Sequence, residues 1–186
     1  MALSAEVQRL GAEEYLRWES RQPEKHEYVA GDVFAMGGAS RRHVTLTGNL
    51  FAGLDEALTG TPCRVYMADM KVEVATKTSF FYPDVFVTCH SDDHRAELAM
   101  HHPILIAEVL SPSTAAYDRG GKFIAYRSLP SLKEYLLIDP DPQQLELFRK
   151  GPDGLWTLHD FVPGQTLHLA SVEVAISWER LFRNVD

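Results

Sequence analysis

Apolar and polar residues alternate along the chain with two different periods, and the changes of period predict separate helices and strands. Residues 11–19 form a short amphipathic pattern, and residues 26–36 alternate in the manner of a β-hairpin that turns near Ala30-Gly31-Asp32. A longer helix is predicted from a cap at Ser40 to about residue 58. Its evidence is a leucine at every fourth position: Leu46, Leu50, Leu54 and Leu58.

The second half of the pattern predicts a sheet interrupted by one helix. Strands are expected at residues 63–74, 80–89 and 103–110, and the last is apolar throughout, as in a strand covered on both faces. A helix over 117–129 then connects to a buried strand at 134–139. Because a helix between two apolar strands is a crossover connection, these two strands should be parallel neighbours.

The chain ends in strand-like segments near 145–149 and 155–162 and a short helix capped by Ser177. The fold class is therefore mixed α+β, with a central mixed sheet and a C-terminal β-hairpin extension. The absence of a repeat or linker within 186 residues favours a single domain over 1–186.

Composition and charge narrow the class of protein. Hydrophobic residues make up 45% and charged residues 24%, which is typical of a globular protein. The apolar runs are too short to cross a bilayer, and Met1–Glu6 lacks the features of a signal peptide, so we expect a cytoplasmic protein without a membrane partner. The net charge of -8 argues against a protein that coats nucleic acid through a broad basic surface.

The two cysteines, Cys63 and Cys89, each fall within a predicted strand. We interpret them as small buried thiols in a reducing compartment. A Cys63–Cys89 disulfide is the alternative.

Two acidic residues interrupt apolar strands and are the first candidates for chemistry. Asp84 lies in Tyr-Pro-Asp-Val-Phe-Val, and Glu108 lies near the end of the apolar strand at 103–110. Burial of an ionised carboxylate costs several kcal/mol unless a partner compensates it. A shared Mg²⁺ or Mn²⁺ would do so, and its bound water could attack a phosphodiester. For either acid alone, a strand-end cap or an arginine partner is the simpler interpretation.

Several short motifs together resemble one known family. They are Glu27-Tyr28-Val29-Ala30-Gly31, His43, Tyr82-Pro83-Asp84-Val85, Glu108-Val109-Leu110-Ser111-Pro112-Ser113-Thr114, Asp118-Arg119-Gly120-Gly121-Lys122 with Tyr126, Glu134-Tyr135 and Asp139-Pro140. The heptapeptide that begins at Glu108, 24 residues after Asp84, is the specific part. Over nearly the whole chain the sequence resembles the PD-(D/E)XK nuclease superfamily and, within it, the bacterial Uma-type family of putative restriction endonucleases.

The resemblance implies a restriction-endonuclease-like αβββαβ core, a divalent metal at Asp84 and Glu108, and phosphodiester hydrolysis. The superfamily pattern has a lysine two residues after the second acid, where this chain has Leu110. The Uma-type sequences are similar to this chain in that respect, and their lysine lies in the following helix instead. Lys122 matches that later position. Its ammonium could hold the attacking water or stabilise negative charge. A solvated helix lysine is the alternative.

Four further residues are candidates for the same site. Lys71 is a rival lysine, and Asp69 shares its strand face as a possible extra metal or water-positioning acid, although a strand that leaves the core for solvent is the simpler interpretation. His43 lies in the first turn of the helix after Ser40, where it could contact phosphate or serve as a core or capping histidine. Glu27 is a possible third acid, or an exposed strand residue.

Other clusters carry weaker signals. A zinc site is conceivable among the histidines of 90–102, but the segment also suits a solvated connection. Scattered basic residues could supply positive charge near the site: Arg41, Arg42, Arg119, Arg127 and Lys133.

The sequence thus predicts a Mg²⁺- or Mn²⁺-dependent DNA endonuclease with Asp84, Glu108 and Lys122 as catalytic residues. Duplex cleavage needs two nicks, which makes a homodimer plausible. The alternative, motivated by Leu110 and the acidic charge, is a catalytically inactive nuclease-fold module that binds nucleic acid or a protein partner.

Overall fold

The computed structural model describes residues 9–74 and 78–186, so the N-terminal segment considered above lies outside the described residues. The helices are α1 (Ala12–Glu19), α2 (Arg41–Ala57), α3 (Ala115–Tyr117), α4 (Phe123–Tyr126) and α5 (Trp178–Leu181). A π-helical turn, Asp118–Lys122, joins α3 to α4, and we call these three segments together the crossover helix.

The strands alternate with these helices along the chain. They are β1 (His26–Val29), β2 (Asp32–Ala35), β3 (Arg64–Met67), β4 (Lys71–Val74), β5 (Ser79–Phe81), β6 (Val85–Thr88), β7 (Ala99–Met100), β8 (Pro103–Val109), β9 (Glu134–Asp139), β10 (Gln144–Lys150), β11 (Trp156–Phe161), β12 (Thr166–Leu169) and β13 (Val174–Ser177).

The strands form two mixed sheets and a hairpin. The six-stranded sheet has the order β11-β10-β9-β8-β6-β3, and the five-stranded sheet has the order β2-β1-β5-β4-β7. As predicted, β8 and β9 are parallel neighbours connected by the crossover helix. The mixed α+β class is confirmed, and the C-terminal extension contains the expected pair β10–β11 together with an unpredicted hairpin, β12–β13.

Two predicted strands are each divided into two. The segment 63–74 separates into β3 and β4, and the segment 80–89 separates into β5 and β6, so that each segment passes from one sheet to the other. Ala68 has a φ of 51°, which interrupts the first segment. Pro83 lacks the N–H that a sheet ladder needs and interrupts the second. In the first segment the apolar positions change from odd to even numbers at Ala68, which was a signal for that break. The second segment is apolar on both sides of Pro83 and gave no change of pattern beyond the proline.

Apolar side chains cover both faces of the six-stranded sheet. On one face the predicted leucine stripe of α2 packs against β6, β8 and β9 and against the C-terminal strands. On the other face Tyr126 of the crossover helix joins Ile106 and Leu137 in a second cluster. Alternate residues of β8 thus enter different clusters, which explains its uninterrupted apolar sequence.

The cysteine interpretation was wrong, because Cys63 and Cys89 form a disulfide. Strands β3 and β6 are antiparallel, with Arg64 opposite Thr88. That register places the next residue outward on each strand, Cys63 and Cys89, directly across from one another. The sequence indicated two strands but not their register, so it could not decide between thiols and a disulfide.

The histidine-rich connection between β6 and β8 is organised by a buried aspartate. The Asp93 side chain is fully buried and accepts hydrogen bonds from the Thr88 hydroxyl at 2.7 Å and from the backbone N–H groups of His101 and His102 at 2.8 and 2.9 Å. The rings of His90 and His102 stack with centroids 3.9 Å apart. Asp93 therefore has protein donors as partners, as expected for a structural acid.

The C-terminal hairpin is attached through another buried acid. Glu134, at the start of β9, accepts hydrogen bonds from Arg149 Nε at 2.7 Å and from the backbone N–H of Ser171 at 2.9 Å.

No helix among the described residues has the length and apolar character needed to span a membrane.

Asp93 yields a pH-dependent stability prediction. Burial raises the pKa of Asp93, but the hydrogen bonds from His101, Thr88 and His102 outweigh burial and hold the pKa below its usual value. When the pKa of a carboxyl group is lower in the folded state than in the unfolded state, its ionised form stabilises the fold. That stabilisation is complete at pH values above the unfolded-state pKa and is lost as the pH falls through the folded-state pKa. Asp93→Asn should therefore cost about 2 kcal/mol of unfolding free energy at pH 7, and less at pH 3.

Urea denaturation at the two pH values measures both effects. The control is Asp92→Asn, because Asp92 is exposed and its ion pair with Arg95 lies at the surface. A cost for Asp93→Asn that is as small as the control's, or that grows towards acidic pH, would contradict the assignment.

Candidate active site

Strand register brings the two predicted acids together. Val85 of β6 pairs with Ala107 of β8, so Asp84 and Glu108 are opposite one another at the end of the antiparallel ladder. The backbone N–H of Asp84 donates to Glu108 Oε2 at 3.3 Å, and the backbone N–H of Val109 donates to Asp84 Oδ2 at 2.7 Å. The two carboxyl groups therefore share one end of the sheet.

Glu108 is almost completely enclosed by polar partners. Its side chain is 4% exposed, and Oε1 accepts hydrogen bonds from the Tyr126 hydroxyl at 2.9 Å and from Lys122 Nζ at 3.2 Å. Burial raises the pKa of Glu108 well above its usual range, against the opposing charge of Lys122 and with the added repulsion of nearby acids. Glu108 thus lies in a pocket with an excess of negative charge.

Lys122 is the buried cation of this pocket. Its side chain is 8% exposed, and Nζ lies 2.9 Å from Glu27 Oε1, 3.2 Å from Glu108 Oε1 and 3.5 Å from Asp118 Oδ1. Burial alone would lower the pKa of Lys122, but the three carboxylates together raise it above its usual value. Lys122 is therefore held as an ammonium. The alternative of a solvated helix lysine does not describe it.

The helix after β8 supplies three site residues at intervals of four. Asp118, Lys122 and Tyr126 are all buried and lie in or beside the π-helical turn, a feature that is frequent at functional sites. Only Lys122 received a role from the sequence. The i, i+4 spacing of a buried acid, lysine and tyrosine was a signal for the other two, but burial was not visible in advance.

Glu27 and His43 also reach the site. The Glu27 side chain is 11% exposed and contacts Lys122, so it is not the exposed strand residue that was the alternative. His43 Nε2 lies 3.1 Å from Asp84 Oδ2. Burial lowers the pKa of His43, but its hydrogen bond to Asp84 and the charge of Asp84 produce a net rise. His43 favours one orientation of the Asp84 carboxyl group.

Asp69 and Lys71 have their direct contacts elsewhere. The Asp69 side chain is 84% exposed and pairs with Lys25. Lys71 Nζ lies 3.3 Å from the Tyr82 hydroxyl, which itself donates to the buried Glu19 at 2.8 Å. This second polar cluster adjoins the site through the backbone of Tyr82, whose N–H donates to Glu27.

Most of the basic residues predicted near the site already form ion pairs with acidic side chains. Arg119 forms ion pairs with Asp139 and Glu146, and Arg42 pairs with Asp141. The remaining ones have other surroundings: Arg41 pairs with Asp186, Arg127 lies over the ring of Phe123, and Lys133 is exposed.

The donor set can be compared with the needs of a hard divalent cation. Among residues 9–74 and 78–186 there is no cluster of three or more His, Cys, Asp or Glu side chains arranged to hold a metal, at the histidine-rich connection or elsewhere. Mg²⁺ is nonetheless often held by only one or two carboxylates, with water completing its shell. The adjacent pair Asp84 and Glu108 provides those oxygens, and the buried Asp118 Oδ1 makes no hydrogen bond among the described residues and has Lys122 Nζ at 3.5 Å as its ion-pair partner. The residues therefore fit such an ion.

Comparison with known proteins identifies the family. The family model of Uma2, described as "Putative restriction endonuclease", matches residues 12–180. The chain belongs to this family. The Uma2 resemblance predicted from the short motifs is confirmed, and the match includes every candidate residue of the site. Membership in Uma2 supports nuclease function in general terms.

The chain is also similar to two relatives and to a solved structure. Two uncharacterized proteins of Synechocystis sp., slr1290 and sll1609, are each 37% identical to the chain, over 98% and 87% of its length and over 96% and 93% of their own. The crystal structure of a putative nuclease belonging to DUF820 from Anabaena variabilis superposes with a TM-score of 0.78 and covers 95% of this chain and 99% of its own, at 17% identity. That likeness confirms the predicted nuclease-like fold.

Removal of the buried ammonium should destabilise the protein. Lys122→Met would leave Glu27, Glu108 and Asp118 without their shared cation, a loss that typically costs about 3–5 kcal/mol when one member of a buried ion pair is deleted. Lys122→Met combined with Glu27→Gln should cost less than Lys122→Met alone, because one uncompensated carboxylate is neutralised. Urea denaturation at pH 7 measures both differences.

The matched control is Lys133→Met, at an exposed position outside the cluster. Equal stabilities for Lys122→Met and Lys133→Met would show that the carboxylates do not depend on Lys122.

Proposed function

We propose that this protein is a divalent-metal-dependent endonuclease that hydrolyses phosphodiester bonds in DNA. The observation that carries the proposal is the contact of Lys122 Nζ with Glu108, beside Asp84 at the end of the same sheet. Two acids and one lysine of an Uma2 family chain thus occupy one pocket, although the sequence has Leu110 at the usual lysine position.

Asp84 and Glu108 would hold the metal, for which Mg²⁺ and Mn²⁺ are the candidates. When bound, such an ion makes a coordinated water more acidic and neutralises charge that develops on the phosphate. Glu108 is buried and Asp84 is partly buried, which suits this task, since electrostatic interactions are stronger where water is excluded.

Lys122 would act on the attacking water or on the pentacovalent phosphate. Its ammonium would donate a hydrogen bond to either in exchange for one of its three carboxylate contacts, of which the longest is the one to Asp118 Oδ1 at 3.5 Å. Tyr126 and His43 position Glu108 and Asp84 respectively through their hydrogen bonds. Asp69 contributes indirectly at most, since it contacts Lys25 at the surface.

A homodimer and a cytoplasmic location belong to the same proposal. Two copies of the site would supply the two nicks of duplex cleavage, and the cytoplasm is where a bacterial enzyme meets DNA. The Cys63–Cys89 disulfide opposes the location, because disulfides are rare in reducing compartments. Titration of free thiols in protein isolated without reductant should find no reactive thiol, and two reactive thiols would contradict the disulfide.

The second candidate function is a nuclease-fold module that binds nucleic acid or a protein partner without cleavage. Its support is the net charge of -8 and the enclosure of Lys122 by three carboxylates, which leaves the ammonium little freedom. Such a module would bind its partner equally well with or without Asp84.

Cleavage of supercoiled and linear DNA, with Mg²⁺ or Mn²⁺ against EDTA, distinguishes the two functions. We expect metal-dependent cleavage that falls at least about a hundredfold in Asp84→Ala and Glu108→Ala, and by a similar factor in Lys122→Ala. Direct conversion of supercoiled circles to linear product is expected if two sites act together.

The control variant is Asp92→Ala, an exposed acid outside the pocket. Thermal unfolding of each variant separates loss of chemistry from loss of fold. Activity that survives both acid substitutions, or that persists in EDTA, would contradict the proposed site.

A further inference from the structure

An exposed tyrosine stands beside the carboxylate pocket without a role in it. Tyr117, the last residue of α3, is 43% exposed, and its hydroxyl has no hydrogen-bond partner among the residues that the structure describes. Burial raises the pKa of the Tyr117 hydroxyl. The negative charges of Glu27 and Asp118 raise it further, and the positive charge of Lys122 opposes the rise. Tyr117 directly precedes Asp118, and its ring lies against Gly121, the residue before Lys122, so the ring adjoins two residues of the pocket.

The backbone beneath this ring is made of glycine. A Cβ added to Gly121 would lie 2.4 Å from Tyr117 Cε2 and 2.7 Å from Cδ2, so the ring lies directly against Gly121. A Cβ added to Gly120 would meet no atom within 4 Å. The ring is therefore supported from one side by bare backbone, while the neighbouring surface is open to a ligand.

The charges around the site limit how DNA could be held there. The pocket contains four carboxylates, and Arg42 and Arg119, two of the basic residues considered for the site, are already paired with acids. Contacts of basic residues with phosphates, which usually dominate affinity for DNA, are therefore weakened here. An aromatic face offers attraction that does not depend on charge, since stacking of a base on an aromatic side chain contributes about 1–3 kcal/mol.

We propose that Tyr117 is a stacking platform for an unpaired base next to the scissile phosphate, so that the preferred substrates are single-stranded, gapped or flapped DNA. A base inside an intact duplex is already stacked on its neighbours and cannot lie on the ring without being extruded. An unpaired base needs no such extrusion. This inference rests on the proposed function and specifies its substrate class.

The test compares binding of two DNA probes in an Asp84→Ala background, where the proposed chemistry is blocked. One probe is a short single-stranded oligonucleotide, and the other is a blunt-ended duplex of two fully complementary strands, each with a fluorescent label. Tyr117→Leu should weaken binding of the single strand about tenfold, and Tyr117→Phe, which keeps the ring, should change it less than about twofold. Binding of the duplex should be unaffected. Leu155→Ala, at an apolar residue that is 68% exposed elsewhere, is the control.

A second readout reports stacking directly. A single-stranded probe that contains 2-aminopurine should lose emission on binding to the protein with tyrosine or phenylalanine at position 117, and keep it with Tyr117→Leu. Retained affinity and quenching in Tyr117→Leu would overturn the inference, as would equal losses for both probes or equal losses in Tyr117→Phe and Tyr117→Leu.

The cleavage assay keeps the two proposals apart. If the wild-type protein cleaves DNA in a metal-dependent manner but Tyr117→Leu changes neither probe, only the stacking platform is wrong. If neither probe binds the protein and the wild type does not cleave DNA, both proposals are wrong.

Discussion

The ammonium of Lys122 is buried among carboxylates, and the geometry of the candidate site depends on this one interaction. Glu27, Glu108 and Asp118 lie within 3.5 Å of Nζ, and each would be costly to bury without it. The three acids come from β1, β8 and the π-helical turn, so one charge ties both large sheets to the crossover helix. Asp84 joins the group through strand register rather than through the lysine.

The irregular parts of the backbone, at Pro83 and at the π-helical turn, lie where the chain contributes residues to this cluster. The break at Pro83 lets the chain leave one sheet and enter the other, with Asp84 at the point of entry. The π-helical turn brings Asp118 and Lys122 to the same side of the helix. The same helix leaves Tyr117 on the outside of the pocket, against Gly121. The features that interrupt regular structure are therefore the ones that assemble the site.

The sequence predicted the elements well where one period of hydrophobicity continued without interruption. The leucine stripe of α2, the doubly buried β8 and the crossover to β9 follow from local pattern. Asp84 and Glu108 stood out because they interrupt apolar strands, whereas the role of Lys122 came from the family resemblance. Features that depend on how strands meet were not accessible. The Cys63–Cys89 disulfide requires the β3–β6 register, and the burial of Asp118 and Tyr126 requires the packing of the helix against the sheet.

The central claim is that Asp84 and Glu108 form a divalent-metal site, and calorimetric titration with Mn²⁺ tests it most directly. The account predicts saturable binding to the wild-type protein that is weakened at least about tenfold in Asp84→Asn and in Glu108→Gln, and unchanged in Asp92→Asn. Binding that is equally strong in all four proteins would place the metal elsewhere. The absence of binding to folded wild-type protein would contradict a metal-dependent nuclease.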